Sequence, residues 1–207
     1  MINRPTNQSH KIILDLFAGT GAWSQPYANN PNEYDVRLIT LPDYDVRLWP
    51  SKVSTIARLP NDLNSIKIYE GRVYGILAAP VCTVFSNAAS RIPRTDEELL
   101  NALSMVDAVL RLVHVLKPTF WALENPVGKL YHWLGSPQLI FNPCDYGDPY
   151  TKRTCLWGNF NAPLKAPVQP ILYSNISYLA GGKSEKTKAL RSITPPGFAR
   201  AFYEANR

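Results

Sequence analysis

Lys11-Ile12-Ile13-Leu14-Asp15-Leu16-Phe17-Ala18-Gly19-Thr20-Gly21 is the stretch on which the fold turns. A short apolar run closed by glycines reads as a buried strand. A buried strand that feeds a Gly-rich turn and then a helix opens many α/β nucleotide-binding folds. The turn is not a Walker P-loop, because no Gly-Lys-Ser/Thr follows, and it lacks the third glycine of the dinucleotide fingerprint. Two glycines one residue apart let backbone N–H groups approach a ligand closely, although an ordinary tight strand-to-helix turn needs them as well. Asp15 sets a carboxylate beside them, which repels a pyrophosphate and attracts an ammonium or sulfonium group.

Outward from this stretch, Val36–Leu41 reads as a second strand stopped by Pro42, and Val73–Ala79 as a third stopped by Pro80. Thr95 to about His114 reads as a helix. Thr95 and Glu98 make a capping box, Asp96 and Glu97 add acid to the first turn, and Lys117-Pro118 ends it. Leu99, Leu103, Val106, Leu110 and Val113 form its expected buried stripe. Thr119–Leu123 follows as a strand. Strands alternating with helices predict an α/β domain with a mostly parallel sheet, covered by helices on both faces. Residues 159–190, with Pro163, Pro167, Pro170, Gly181, Gly182 and four lysines, read as an irregular and mobile surface segment. A last short helix is expected from Thr194-Pro195-Pro196, with Phe198, Phe202 and Ala205 inward.

With 207 residues the chain suits one domain. No apolar run reads as long enough to span a bilayer, and residues 1–10 carry no signal-peptide core, so a cytoplasmic location and no membrane partner are expected. Cys82, Cys144 and Cys155 make no CxxC pair, which argues against a disulfide framework or a structural zinc site. His10, His114 and His132 lack ligand spacing, and no metal site is expected. The 22 Lys+Arg exceed the 16 Asp+Glu, and a net charge of +6 suits an anionic partner such as nucleic acid without proving one.

Three features fall at the carboxyl ends of predicted strands, where open α/β sheets place their sites: Asp15–Gly21, Pro80-Val81-Cys82 and Glu124-Asn125-Pro126. Cys82 in such a loop is a candidate nucleophile, while an isolated cysteine more often fills a small buried space. Glu124 fits a proton donor or a hydrogen-bonding clamp, and equally a cap on a following helix.

Taken in order, these segments resemble the cytosine-C5 DNA methyltransferase family in its compact phage-type form. Asp15–Gly21 is similar to the family's S-adenosylmethionine loop, Pro80-Val-Cys-Thr-Val-Phe-Ser86 to its Pro-Pro-Cys-x-x-Phe-Ser loop, and Glu124-Asn-Pro126 to its Glu-Asn-Val motif. Tyr146–Arg153 looks like a variant of the Gln-x-Arg-x-Arg motif, and Arg191-Ser-Ile-Thr-Pro195 with Phe198-Ala-Arg200 resembles the late Arg-x-Leu-Thr motif. The matches span residues 12–202. The resemblance implies a Rossmann-like S-adenosylmethionine-dependent methyltransferase sheet and one catalytic domain over 1–207. It implies methylation of carbon 5 of cytosine in double-stranded DNA, in the host cytoplasm if the chain is phage-encoded. Cys82 would be the nucleophile, Glu124 the proton donor at N3, and Lys152 and Arg153 contacts to the cytosine carbonyl or a phosphate. Asp15, Phe17, Ala18, Gly19, Thr20, Gly21 and Pro80 would line the cofactor site, with Asp43 or Asp45 for its ribose and adenine.

The departures are as informative. Val81 stands where the family has a second proline, and Tyr150 and Thr154 where its Gln and second Arg stand, leaving Arg153 to take over a role. Residues 159–190 occupy the place of a target-recognition domain, and the Gly-Asn-Ser motif that walls the family's cofactor pocket is missing. A short or relaxed target sequence, with an accessory protein as one possible aid to recognition, follows from that reduction. Modification of a free cytosine nucleotide and a non-catalytic DNA-binding partner subunit remain as alternatives.

Overall fold

The computed structural model describes residues 10–48, 56–57, 66–67, 71–87, 93–171 and 192–207, the two dipeptides by backbone alone. Strand β1 (Lys11–Leu16) is an interior strand buried on both faces, as its continuous apolar run requires. To one side lies β2 (Tyr34–Ile39), and to the other β5 (Val73–Ala78) and β6 (Phe120–Pro126). The sheet continues with β8 (Thr154–Asn159) and β7 (Leu139–Phe141), in the order β2-β1-β5-β6-β8-β7. The pairs β1–β2, β1–β5 and β5–β6 are parallel, whereas β8 runs antiparallel to both β6 and β7. Ile56–Ala57 (β3) and Ile66–Lys67 (β4) pair as a separate antiparallel ribbon.

Helices cover both faces, so the α/β, Rossmann-like architecture expected from the sequence is the observed one. On one face α2 (Asp96–Leu116) packs over Leu14, Leu16, Ile76 and Leu123. On the other, α1 (Gln25–Ala28) and α4 (Pro196–Ala205) place Tyr27, Phe198, Phe202 and Tyr203 against Ile13, Leu77, Phe120 and Leu156. Burying one such large apolar side chain stabilises the fold by about 1.5–3 kcal/mol. In α4, Tyr203 rather than Ala205 completes the buried face.

The capping box on α2 forms as predicted. Thr95 accepts from the Glu98 N–H at 3.1 Å, and Glu98 accepts from the Thr95 N–H at 3.0 Å. Lys117, in the left-handed conformation at φ +46°, ends the helix before Pro118. The buried stripe is turned from the expected one. Ala102, Met105, Val106, Val109, Leu112 and Leu116 are buried, Leu99, Leu103 and Val113 flank them, and Leu110 faces outward. The buried line mixes small Ala102 and Ala108 with Met105, Leu112 and Leu116. By length and composition α2 also qualifies as a membrane-crossing helix, which corrects the expectation that no segment does. Its buried stripe and its capped acidic start account for it as the helix that covers the sheet.

Of the segment 159–190, the part from 159 to 171 is described. It is irregular, as expected, but it is hydrogen-bonded in place rather than loose. The N–H groups of Ala166, Val168 and Ile171 donate to the carbonyls of Asp145, Cys144 and Pro149. The remainder, and Arg191 of the late motif, lie outside the described residues.

Candidate functional site

The carboxyl ends of β1, β5 and β6 meet at one edge of the sheet because the three strands are parallel and adjacent. They are laced together there. The Phe17 N–H donates to the Ile39 carbonyl at 2.8 Å, and the Ala79 N–H to the Leu16 carbonyl at 3.1 Å. Asn125, fully buried, donates its side-chain N–H to the Pro80 carbonyl at 3.2 Å. The loop that carries Cys82 is thus held from two strands. Beyond it, the Cys82 carbonyl accepts from the Phe85 and Ser86 N–H groups at 3.1 and 2.9 Å, a tight turn that leaves the cysteine half-exposed.

Gly128 fixes the other wall of that turn. A Cβ at this position would stand 2.0 Å from the Phe85 carbonyl oxygen, so only glycine permits the approach. The Lys129 N–H donates to the same oxygen at 2.7 Å, and the Asn87 N–H to the Val127 carbonyl at 3.3 Å.

The glycine turn after β1 has an unusual backbone. Phe17, Gly19 and Gly21 all have positive φ, at +59°, +54° and +71°. A bulky residue in that region is strained, and such strain persists where the surroundings enforce it. Gly19 and Thr20 are exposed, Phe17 and Ala18 half-buried, and a Cβ at Gly19 would meet nothing within 4 Å. Asp15 lies beneath the turn with 2% exposure, taking the Ser24 hydroxyl at 2.6 Å. Burial pushes its carboxyl up to about 7, against the opposing pull of the Ser24 hydroxyl and N–H. Asp15 therefore braces the turn from below, a role its sequence position did not announce; Ser24 had no spacing signal to offer.

Of the two acids after β2, Asp45 is taken by Arg47, whose Nε lies 2.9 Å from Oδ1, and this pairing holds its carboxyl below the ordinary range. Arg47 also donates to Asn101 Oδ1 on α2 at 2.7 Å, so Asp45 fastens the loop to the helix. Asp43 is exposed and is the acid open to a ligand.

Antiparallel β8 starts where β6 ends, with Thr154 opposite Pro126. Residues 151–153 therefore emerge beside Glu124. Lys152 Nζ lies 3.8 Å from Glu124 Oε1, with 17% and 15% of the two side chains exposed. Arg153 is exposed, and its carbonyl accepts from the Val127 N–H at 3.2 Å. Glu124, near the end of β6, thus meets Lys152, while its neighbour Asn125 ties β6 to the loop that carries Cys82 and Arg153 adjoins Lys152. Of the other two thiols, Cys155 is buried, and burial raises its pKa. Among the residues that sequence reasoning left without a role, Asn125 clamps the Cys82 loop and retains a buried Oδ1 without a hydrogen-bond partner. Asp148 accepts from the Gly197 N–H at 2.9 Å and so docks the start of α4.

No family model matches the chain, and no curated protein does. Among solved structures it is similar to a prophage protein of E. coli assigned as a DNA modification methyltransferase. That likeness has 15% identity and a TM-score of 0.44, over 84% of this chain and 56% of the other. It is similar as well to a methyltransferase of Entamoeba histolytica, with 16% identity and a TM-score of 0.40, over 87% of this chain and 62% of the other. The chain spans less than two thirds of the length of either protein.

Proposed function

We propose that this chain transfers a methyl group from S-adenosylmethionine to carbon 5 of cytosine in DNA through a covalent adduct at Cys82. The observation that carries the reading is the lacing of two strand ends: Asn125 holds the Pro80-Val81-Cys82 loop, while its neighbour Glu124 meets Lys152.

The turn after β1 suits the cofactor. Its backbone is open at Gly19, where a Cβ would point into free space, and Asp43 stands exposed beyond the neighbouring strand. Phe17, Ala18, Gly19, Thr20 and Gly21 would hold it, with Pro80 as a neighbouring wall and Asp15 as the brace underneath. When bound, S-adenosylmethionine supplies an electrophilic methyl group on a sulfonium and leaves as a neutral thioether.

Carbon 5 of cytosine is too electron-poor to take that methyl directly. The Cys82 thiolate adds its electron pair to carbon 6, forming the S–C6 bond and pushing charge towards N3 and O2. Glu124 shares or donates a proton at N3, and Lys152 places positive charge beside the ring. Carbon 5 then has the electron pair that takes the methyl. A base removes the carbon 5 proton, the S–C6 bond breaks to return the thiolate, and N3 gives its proton back to Glu124. In duplex DNA the cytosine must leave the stack first, because the faces of a stacked ring are covered.

The test is covalent trapping on duplex DNA containing 5-fluorocytosine, with S-adenosylmethionine present, read as a shifted band on a denaturing gel. Fluorine at carbon 5 blocks the final elimination. A shifted band that is lost in Cys82→Ser is the expected result. A band obtained only with 5-fluoro-deoxycytidylate would move the substrate to a free nucleotide. No band with either, under conditions where the cofactor binds, would refute the covalent mechanism and favour a partner subunit.

A further inference from the structure

We propose that the single turn α3 (Tyr131–Leu134) is a stacking face for nucleobases beside the Cys82 loop, with Lys129 and Arg153 as its phosphate contacts. The inference rests on the reading of DNA as substrate and says which surface of this chain holds the strand.

Three consecutive rings, Tyr131, His132 and Trp133, stand on the outside of this turn, with Tyr131 52% and Trp133 44% exposed. Leu130 is fully buried and Leu134 packs on the core, so these two leucines anchor the turn. Trp157 Nε1–H closes its far end on the Gly135 carbonyl at 2.9 Å. The rings are therefore presented by a rigid support, which limits the ordering cost of binding.

The face is continuous with the catalytic loop. Trp133 meets the Phe85 ring edge-on, centroids 5.7 Å apart, and Phe85 follows Cys82 by three residues. The backbone of 127–129 runs between the Cys82 turn on one side and Arg153 on the other, through Lys129 N–H to Phe85 O and Val127 N–H to Arg153 O. Exposed Lys129 and Arg153 thus lie on adjoining connections just beyond β6 and just before β8.

Charge selects the occupant. No Asp or Glu occurs from Gly71 to Thr95 or from Asn125 to Cys144, and Glu124, just before the second segment, is paired with Lys152. Aromatic rings beside exposed cations match a nucleic-acid strand, whose bases stack and whose phosphates carry the negative charge. An apolar protein partner would have no use for the cations.

The test is binding of the full chain to a fluorescein-labelled 12-nucleotide single strand and to the matching duplex, by anisotropy and without cofactor. Tyr131→Ala and Trp133→Ala should each weaken binding about five- to hundredfold, the loss expected when one base loses its stacking ring. Tyr131→Phe should stay within about twofold, because the phenyl face stacks as well. Lys129→Ala should lower the slope of log affinity against log salt by about one. Trp133→Ala also removes a contact with Phe85, so the Tyr131 pair carries the decision. Equal affinity for wild type, Tyr131→Ala and Tyr131→Phe would overturn the proposal. So would equal loss in both variants, DNA binding too weak to measure in the wild type, or variants that change only self-association. Ring-dependent DNA binding without covalent trapping would leave the stacking face standing and remove the methyl-transfer mechanism instead.

Discussion

Asp15→Asn tests how the glycine turn is braced. Burial raises the Asp15 carboxyl from its ordinary 3.8 to about 7. Between those values the folded protein keeps a proton that the unfolded chain has released. Stability therefore falls as pH rises through this window, and levels off above pH 7. A shift of about three pH units at 1.36 kcal/mol each amounts to about 4 kcal/mol when fully developed. Asparagine carries no such penalty, but its single oxygen cannot serve both Ser24 donors. The Ser24 hydroxyl has a second acceptor in the Gly21 carbonyl at 3.3 Å, so the substitution loses about 1 kcal/mol of hydrogen bonding at most. The variant is expected to be about 0.5 kcal/mol less stable than wild type near pH 4 and about 3 kcal/mol more stable at pH 8, crossing near pH 4.5. Urea unfolding at fixed ionic strength across pH 4–8, with the difference plotted against pH, reads this directly. A difference that stays constant with pH would refute the buried, proton-holding carboxyl.

The remaining predictions concern the loops above the sheet. Gly128→Ala should destabilise the protein by about 2–4 kcal/mol in urea unfolding, since its Cβ would strike the Phe85 carbonyl, and should abolish trapping at Cys82. Gly19→Ala meets no neighbour, so its stability loss should be confined to about 1–2 kcal/mol of left-handed strain. Its S-adenosylmethionine affinity, measured by calorimetry, should fall well beyond what that loss explains. Lys152→Met removes the cation beside Glu124 and should lower kcat about tenfold or more while DNA affinity changes little. Equal losses in kcat and affinity would place Lys152 on the phosphates instead.

What could be read from the sequence is local. The strand and turn at 11–21, the Thr95 capping box and the stop at Lys117-Pro118 depend on neighbours within a few residues, and all are present. The phase of the α2 stripe is not fixed by spacing, because apolar residues recur at helical spacing on both the side of Leu99, Leu103 and Leu110 and the buried side of Met105, Val109, Leu112 and Leu116. Asp45 had a legible clue that outweighed its candidacy, an arginine two residues on that takes the carboxylate. Asp15 had none, since its burial depends on Ser24 and on the helices folded over that face.

The antiparallel end of the sheet shows the same limit on a larger scale. Strand β7 has three residues and β8 follows a turn-rich stretch, so neither shows a clear period to a reader of the sequence. Yet the reversal of β8 decides the candidate chemistry. A parallel strand at that place would begin at the opposite edge, and residues 151–153 would lie the length of β6 away from Glu124. Because β8 runs back along β6, its first residue pairs with the last of β6, and Lys152 reaches Glu124 without a dedicated loop. The strand-end residues were nameable from sequence because parallel strands share an edge. The cations became part of the site only through a pairing that no local pattern encodes, and a substitution that slipped the β6–β8 register by one residue would separate them while leaving Cys82 in place.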